Sequence, residues 1–531
     1  MTATARCSRR LLGSVLAVLV LAAACSPAPT PSPAPTTPIA VVSPSAPGAP
    51  SASTAPATTL PLTSPEPTAT PAPTVSPIPS SSPAAPAPGW TYTADGWFNA
   101  TRFAPDGGVV TVEISTSVQS VAVTRLAPDG STATGWPWHQ HNADLGDTAI
   151  GPGGSTYVIA RDQQDVSIYA WTLHRLDAHG AEMAGFPVKL PPVEMCSIAV
   201  AADGAAVAAC ARQDDTTSTW VTTVTRVRPN GLVAAGWPMR VHGEASPLGF
   251  LRNGDVVLLD NDYVEAQPEG FLRVVLVTPG GKPDPAWQAN RYPATSTAFL
   301  STAGRVVIVS HKYADGECGA SISTTYRVLD AHGRAAGTWP ITVRGWGSDP
   351  VIRADGSLVA VMADGSVRAW SASGHALAGW PRSGIDVQTG CYRGSTPVGT
   401  LDGGMVVVGA KHVTTLDPRG AIVAGWPVKL ADRVALTCEG CVPGPSSAVP
   451  PAVSAGRVYV AVYRGGAGEA GKPAVAVLDL AGRPVTAWNG LVGAAGDEIK
   501  SLEVAPDGRV WAIVSHRTEV GPLDGLVLVG P

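Results

Sequence analysis

The residues with the clearest chemical potential in this chain are its cysteines. Cys196 and Cys210 stand at equal distances on either side of an Asp203-Gly204 turn. A three-residue loop between two strands would place the two cysteines opposite each other, whereas a two-residue loop would put them on opposite faces. We predict a disulfide between them, worth about 3 kcal/mol for a loop of about 15 residues in the chain-entropy description.

A second pair, Cys438 and Cys441, lies in an excursion rich in glycine and proline. We predict a local structural disulfide here. A redox pair, or half of a zinc site completed by Cys318 and Cys391, are the alternatives. The chain has no second Cys-x-x-Cys and no strand–helix context for a thioredoxin-like role, which favours the structural disulfide.

Two short motifs contain metal-ligand residue types. His139 and His141 alternate along a strand and would share one face, although surface histidines beside an outer strand are the commoner case. Asp260-Asn261-Asp262 offers oxygen ligands but lacks the glycine and the distal carboxylate of a calcium loop. The chain contains no Gly-x-Ser-x-Gly, His-Glu-x-x-His, phosphate-loop or Rossmann glycine motif. We therefore predict no catalytic, cofactor or metal residues.

The N-terminal 24 residues have the layout of a signal peptide. Three arginines precede an apolar or small stretch from Leu11 to Ala24, which is too short to span a membrane comfortably. Leu21-Ala-Ala-Ala-Cys25 resembles the lipobox of bacterial lipoproteins, although leucine stands four positions before the cysteine. The resemblance implies cleavage before Cys25 and lipidation of its thiol. We therefore predict localisation at the cell membrane, facing outside the cytoplasm, with export by the Sec or the twin-arginine route left open.

Residues 25–88 are predicted to form a disordered tether behind the lipidated Cys25. From Ser26 to Pro88 the chain is almost entirely Pro, Ala, Ser and Thr, with Glu66 as its one charged residue. Such a composition cannot bury enough apolar surface to offset the entropy of ordering. Extended polyproline II at ~3.1 Å per residue would let it span up to roughly 190 Å.

Residues 89–531 carry a repeat with a period near 50 residues. Each copy has a glycine turn followed by an apolar run, and the turns stand at Asp106-Gly107, Gly153-Gly154, Asp203-Gly204, Asn253-Gly254, Ala303-Gly304, Asp355-Gly356, Asp402-Gly403, Ala455-Gly456 and Asp507-Gly508. Strand-rich repeats of this length are typical of propeller blades. We predict an all-β fold consisting of a single propeller of four-stranded antiparallel blades, with nine blades preferred and eight as the alternative.

The strands within a blade are predicted from local pattern. The run after each glycine turn is continuously apolar, as in Val306–Val309, which indicates a strand covered on both faces. The fourth strand carries an aromatic residue, usually in Gly-Trp-Pro, and proline belongs on an edge strand. We predict that these rings fill the gaps between blades at the outer rim; sugar stacking is the alternative. The chain stops before a ninth aromatic strand, so we predict that Gly89–Thr93 supplies it and closes the ring.

The repeat resembles the quinoprotein-like (PQQ-like) propeller superfamily over roughly Trp90 to Pro531. The best-matching unit runs from Val359 through the Asp364-Gly365 turn to Trp370, Gly374 and Trp380. The resemblance implies a quinone cofactor, a calcium ion and a disulfide between adjacent cysteines in the enzymes of the superfamily. This chain has no adjacent cysteine pair. We therefore expect a non-catalytic member without a bound cofactor.

Charge and organisation lead to a functional expectation. The formal net charge of −5 argues against nucleic acid as a partner. We expect a monomeric, lipid-anchored, non-enzymatic binding or assembly platform whose loops bind an unknown protein or a glycan. The docking segments expected are Asp260–Gly270, Lys312–Ser323 and Cys438–Ser447. The alternative is an extracytoplasmic enzyme, either a quinone-linked oxidoreductase or a carbohydrate-active hydrolase or lyase.

Overall fold

The glycine turns do join paired strands, and these strands form a ring of small sheets. The computed structural model describes residues 89–530, except 95–96, 116–119, 142, 163–169, 215, 217–218, 263–269, 288–289, 302, 314–320, 388–394, 396, 437–447, 466–470, 486–489 and 519–520. The predicted signal peptide, Cys25 and the tether lie outside the described residues, and so do Cys318, Cys391, Cys438 and Cys441. Among the described residues, no helix is long and apolar enough to cross a membrane.

The strands follow one another in groups that each form one sheet. Blade 1 contains β2 (Trp97–Phe103), β3 (Val109–Ser115), β4 (Ser120–Leu126) and β5 (Trp138–Gln140). Blade 2 contains β6 (Ala143–Ile150), β7 (Thr156–Asp162), β8 (Trp171–Leu176) and β9 (Val188–Lys189). Blade 3 contains β10 (Met195–Val200), β11 (Ala206–Gln213), β12 (Trp220–Val227) and β13 (Met239–His242). Blade 4 contains β14 (Glu244–Phe250), β15 (Val256–Asp262), β16 (Phe271–Val277) and β17 (Arg291–Pro293). Blade 5 contains β18 (Ser296–Leu300), β19 (Val306–Tyr313), β20 (Ser321–Leu329) and β21 (Ile341–Arg344). Blade 6 contains β22 (Val351–Ile352), β23 (Leu358–Val361) and β24 (Val367–Trp370).

The last three blades complete the ring. Blade 7 contains β25 (Val398–Gly399), β26 (Met405–Val408), β27 (His412–Leu416) and β28 (Val428–Lys429). Blade 8 contains β29 (Arg433–Val434), β30 (Ala452–Ser454), β31 (Arg457–Arg464) and β32 (Lys472–Asp479). Blade 9 contains β33 (Glu498–Val504), β34 (Val510–Thr518) and β35 (Gly521–Gly530), together with β1 (Thr91–Thr93). A single 3₁₀ turn, Pro152–Gly154, occurs among the described residues. The described chain forms nine sheets, which confirms the nine-bladed propeller and makes the eight-bladed alternative wrong.

The first strand of each blade lies at the centre of the ring and the fourth at its rim. β2 contacts β6, β6 contacts β10, β10 contacts β14 and β14 contacts β18, while β22, β25, β30 and β33 contact one another in the same order. Within a sheet the strands pair antiparallel and in chain order, except that β1 joins blade 9 and that β29 and β30 both pair with β31 in blade 8. The aromatic fourth strands are therefore at the rim, as predicted.

The second strands are buried on both faces, as their continuous apolarity predicts. In β19, Val306 and Ile308 pack into the cluster shared with blade 4. Val307 and Val309, which point the opposite way, pack into the cluster shared with blade 6. Because side chains alternate along a strand, a strand with neighbours on both sides needs apolar residues at every position.

The hairpin between the first and second strands has the same form in eight of the nine blades. The last residue before the turn donates its N–H to the carbonyl four residues on. The pairs are Ala104 to Gly108, Gly151 to Ser155, Ala201 to Ala205, Leu251 to Asp255, Ser301 to Arg305, Arg353 to Ser357, Thr400 to Gly404 and Ala505 to Arg509. Such a loop has three residues and ends in a glycine with positive φ, for example Gly204 at 81°. Blade 8 differs, because Ser454 pairs directly with Arg457 across a two-residue turn.

The ring closes between blades 9 and 1, as predicted. β1 pairs with β35, with Thr91 opposite Val527. Trp90 lies against Gly130, a positive-φ glycine in a turn of blade 1. It also meets Trp511 edge-on, with ring centroids 5.8 Å apart. An N-terminal strand thus completes the C-terminal blade and leaves no open edge there.

Two blades depart from the predicted four-strand plan. In blade 6 the fourth strand is reduced to one bridge between Val367 and Arg382, and Gly384, at φ 83°, follows shortly after it. In blade 8 the first strand is split into β29 and β30, which both pair with β31. The break is bridged at its base by Leu436 and Ala448, so the segment that contains Cys438 and Cys441 is an insertion into a central strand.

The rim aromatics fill the gaps between blades, which confirms the structural interpretation over sugar stacking. The rings of Trp136, Trp237, Trp287, Trp339 and Trp426 are buried. Each indole N–H donates to a turn carbonyl of the next blade: Trp136 to Ala178 (3.0 Å), Trp237 to Pro279 (2.9 Å), Trp287 to Ala331 (3.3 Å), Trp339 to Ala372 (3.2 Å) and Trp426 to Leu480 (2.9 Å). Trp488 lies outside the described residues.

Trp426→Ala should lower the free energy of unfolding by about 3–5 kcal/mol, since it empties the gap between blades 7 and 8. Trp426→Phe should cost less, because a ring remains and only the bond to the Leu480 carbonyl is lost. Urea denaturation followed by fluorescence or circular dichroism measures both. Leu232→Ala, at an exposed turn leucine, is the matched control and should change stability by no more than about 0.5 kcal/mol. Equal stability of Trp426→Ala and the wild type would contradict the assignment.

Candidate functional site

The two ends of the ring differ in regularity. One end, here the turn end, carries the hairpins between first and second strands and the turns between third and fourth strands. The turns between third and fourth strands share one hydrogen bond, from a backbone N–H to the carbonyl four residues on. It runs from Ala127 to Ser131 in blade 1 and from Asp479 to Arg483 in blade 8. The opposite end, here the loop end, carries the connections between second and third strands and the links between blades. These connections vary in length, from the single residue 243 between blades 3 and 4 to residues 382–397 between blades 6 and 7.

Two of the three predicted docking segments begin and end at the loop end. Asp260–Gly270 joins β15 to β16 and Lys312–Ser323 joins β19 to β20, although residues 263–269 and 314–320 lie outside the described residues. The third, Cys438–Ser447, belongs to the insertion between β29 and β30. It therefore leaves the middle of a central strand instead of linking two strands at the loop end.

The predicted disulfide between Cys196 and Cys210 is present in blade 3. The two residues are paired across β10 and β11, with their Cα atoms 4.1 Å apart. The three-residue loop makes this alignment possible, because Ala201 and Ala205 continue the same register. Both cysteines are buried in the cluster between blades 2 and 3. The bond is structural, and the prediction for Cys438 and Cys441 remains a prediction.

The metal-ligand motifs do not form a metal centre in the described structure. The His139 and His141 rings are both exposed and lie parallel, with centroids 6.4 Å apart. Asp260 is buried and forms an ion pair with Arg273, whose Nε donates at 2.7 Å. Within the described ranges, no group of three or more His, Cys, Asp or Glu side chains is arranged to hold a metal ion.

An aromatic stack at the loop end of blade 5 was not found by sequence reasoning. The His311 ring lies 5.9 Å from that of Tyr313 and 6.4 Å from that of Trp346, with interplanar angles of 29° and 10°. All three residues are half-buried. His311 and Tyr313 are two apart on β19 and share a face, which the sequence could have indicated. Trp346 follows β21, which is separated from β19 by β20. It reaches His311 only because β20 pairs with both strands and sets the distance between them.

Hydrogen bonds determine the chemical state of His311. The Thr324 hydroxyl donates to the Gly345 carbonyl at 3.0 Å and accepts from the Gly347 N–H at 2.8 Å. Its one proton is thus used, so the His311 Nδ1, at 3.2 Å, must be the donor of their contact. Burial lowers the pKa of His311. The ring is therefore a neutral aromatic surface, with Nε2 as the acceptor nitrogen.

Two other histidines at the loop end pair with carboxylates that shape the backbone. Asp386 Oδ2 accepts from the His412 ring at 3.2 Å and also from the backbone N–H groups of Lys411 and His412. Asp497 Oδ2 accepts from the His516 ring at 2.8 Å and from the Ala494 N–H at 2.7 Å. Each carboxylate oxygen also accepts hydrogen bonds from backbone N–H groups of a neighbouring turn. We therefore infer that these pairs stabilise the backbone at the loop end.

Comparisons with known proteins identify no family. No protein-family model matches the chain. No curated protein matches it either. Among solved structures, the chain is similar to a crystal structure of the eukaryotic initiation factor, at 9% identity and a TM-score of 0.44, over 79% of this chain and 90% of that one. It is also similar to the Dos1 propeller, at 9% identity and 0.40, over 83% and 94%. BamB from Moraxella catarrhalis matches at 12% identity and 0.35, over 83% and 99%.

As the pH is lowered from 7.5 to 5.5, the stability difference between the wild type and His311→Phe should shift in favour of the variant. Burial depresses the pKa of folded His311 below its unfolded value of about 6.5, so the unfolded chain binds the extra proton first and acid favours unfolding. Thermal melts of the two proteins across this range measure the effect. Parallel curves for the two proteins would contradict it.

Proposed function

We propose that this protein is a lipid-anchored, extracytoplasmic binding or assembly platform without enzymatic activity, and that its loop end carries the binding surface. The observation that supports this most is the difference between the two ends of the ring. The turn end repeats one backbone pattern, whereas the variable connections collect at the loop end. Variable loops on a rigid scaffold are where proteins place recognition residues.

The proposed compartment rests on the sequence and is supported by the disulfide. The lipobox-like segment ending in Cys25 is the basis for the anchor. The Cys196–Cys210 disulfide is buried and correctly aligned, and such bonds persist mainly in oxidising environments outside the cytoplasm. A diacylated cysteine would hold the protein on a bilayer, because each buried methylene contributes ~0.8 kcal/mol.

The described chain begins at the turn end of the ring. β1 runs from Thr91, opposite Val527, to Thr93, opposite Gly525, so Gly89 lies beside the C-terminal end of β35. That end belongs to the turn end of the ring, where Trp90 contacts the Gly130 turn of blade 1. The chain that leads to Cys25 therefore joins the ring at the end opposite the proposed binding surface.

The aromatic stack is the part of the loop end that we propose contacts a ligand. Tyr313 and Trp346 offer flat apolar faces with polar tips, a combination that is frequent in binding surfaces. The neutral His311 between them adds a hydrogen-bond acceptor. Rings of this kind can hold either a protein segment or a sugar face, so a protein or a glycan is the proposed partner.

Lipidation can be tested on the whole protein in a bacterial host that lipidates exported proteins. Wild-type protein should incorporate labelled palmitate and sediment with membranes, because Cys25 provides the thiol. Cys25→Ser should lose the label and appear in the soluble exported fraction. Cys7→Ser is the matched control and should behave as the wild type. Labelled Cys25→Ser, or unlabelled wild type, would overturn the proposed anchor.

The binding surface can be tested with a photoreactive residue placed in living cells. Introduced at Tyr313, it should form a discrete crosslinked species, whereas the same residue at Leu232, on the turn end, should not. Trp346→Ala should remove the species while the melting temperature stays within a few degrees, since the ring is half-buried. The full-length protein on a glycan array tests the sugar alternative. Crosslinking only at Leu232 would place binding at the other end.

A further inference from the structure

A cleft between blades 7 and 8 opens at the turn end, away from the proposed binding surface. It has a volume of about 230 Å³. Its walls are mainly aliphatic, and its lining includes Leu401, Leu416, Val423, Val453 and Leu480. A cavity of about 150 Å³ is enough for benzene, so this cleft has room for a leucine-sized group.

Two departures from the repeat create this cleft. Blade 8 has the two-residue hairpin turn at Ala455-Gly456, whereas the other blades have the longer three-residue loop. At the position of Leu480 the other turns between third and fourth strands have only proline or alanine, namely Pro128, Ala178, Pro229, Pro279, Ala331, Ala372 and Pro418. The shorter turn removes backbone from the gap, and the leucine supplies an apolar wall.

The clefts at corresponding places in the ring have a different chemistry. The one between blades 3 and 4 is lined by Asp203, Arg226 and Arg228. The one between blades 5 and 6 is lined by Arg305 and Asp355. The cleft between blades 7 and 8 has a single charged residue in its lining, Asp402. Its apolar character is therefore specific to this pair of blades among the three.

A buried hydroxyl in the lining of the cleft provides an independent sign of a ligand. Thr415 is 5% exposed, and its Oγ1 makes no hydrogen bond within the described residues. At the equivalent strand position blades 1 and 3 have Arg125 and Arg226, which reach a turn carbonyl of the next blade. Threonine is too short for that bridge. A buried hydroxyl without a partner is costly, and a ligand's polar group can relieve this cost.

The rim of the cleft is apolar as well. Leu401 is fully exposed and Leu480 is about half exposed, and they stand on neighbouring blades beside the same opening. Two leucines in water beside an apolar cleft indicate an occupant larger than the cleft itself, because the apolar surface continues past its mouth.

Charge restricts the occupant further. The Asp402 carboxylate accepts hydrogen bonds from the Thr400 hydroxyl and the Gly404 N–H, and these bonds lower the pKa of Asp402. The carboxylate is thus ionised at neutral pH, and none of the described residues that line the cleft is basic. An anionic group at the mouth would be repelled, whereas an uncharged backbone would be accepted.

We propose that this cleft binds an extended peptide segment of a partner protein, which inserts one aliphatic side chain and bonds to Thr415 through its own backbone. A peptide supplies the required combination: an aliphatic group, an adjacent uncharged amide and further chain to cover Leu401 and Leu480. This site is independent of the loop end, so it stands or falls separately from the function proposed above.

N-acetyl-leucine amide is a minimal probe for this site, because it carries the side chain and two amides. Saturation-transfer NMR with the full chain should show binding through the leucine methyl groups. N-acetyl-glycine amide, which lacks the aliphatic side chain, and the anionic N-acetyl-leucine should bind at least about fivefold more weakly. Asp402→Asn should reduce the difference between the amide and the anion. Equal binding of all three probes, or no binding of the amide, would overturn the proposal.

Variants locate the site and separate it from other apolar surface. Thr415→Val keeps the side-chain shape and should weaken binding of the amide about fivefold, since one hydrogen bond is lost. Leu480→Ser should weaken it by at least about threefold, and the residue is exposed enough for the fold to tolerate the change. Leu232→Ser, an exposed leucine in the matching turn of blade 3, is the control and should have no effect. If Leu232→Ser weakens binding equally, or 1-butanol binds as tightly as the amide, the cleft is not a peptide site.

Discussion

The ring depends on one contact that recurs at its rim. A tryptophan before the fourth strand of one blade fills the gap to the next blade, and its indole N–H donates to a carbonyl in the next blade's turn. The contact combines two demands of a buried tryptophan, a large apolar area and a partner for its one donor. It also fixes the spacing between blades, because the ring, the turn carbonyl and a turn glycine must all fit together. Blade 2 has Phe186 at this position and packs without the hydrogen bond.

Closure of the ring follows from the same contact. Blade 9 ends at Gly530 without an aromatic fourth strand of its own, and β1 occupies that place from the other end of the propeller. Trp90 then lies on the Gly130 turn as the rim tryptophans lie on theirs. Arg509 reinforces the junction, since its guanidinium reaches the carbonyls of Gly107 and Pro128 in blade 1. The buried Asp524 adds a further bond by accepting the Phe98 N–H at 2.8 Å.

A rigid ring allows its two ends to diverge. The turn end is constrained, because its turns provide the carbonyls and glycines that receive the rim aromatics. The connections at the loop end do not receive these aromatic rings, and they differ in length and sequence. Even at the turn end a local change has a consequence: where Thr415 replaces the bridging arginine and Ala455-Gly456 shortens the hairpin, a cleft remains. Binding surfaces at both ends are therefore compatible with one scaffold.

The sequence by itself predicted a propeller with nine blades preferred over eight, the order of strands in a blade, the rim position of the aromatics, the closing strand and a Cys196–Cys210 bond, which a three-residue loop would align. These follow from local rules, because positive-φ glycines, period-two alternation and continuous apolarity depend on each residue's own strand. Only the tertiary structure decided that Trp346 stacks on His311, that Leu480 and Thr415 line one cleft, and that an insertion splits the first strand of blade 8. Those contacts join residues on separate strands or separate blades, and their distances depend on how the sheets pack around the ring.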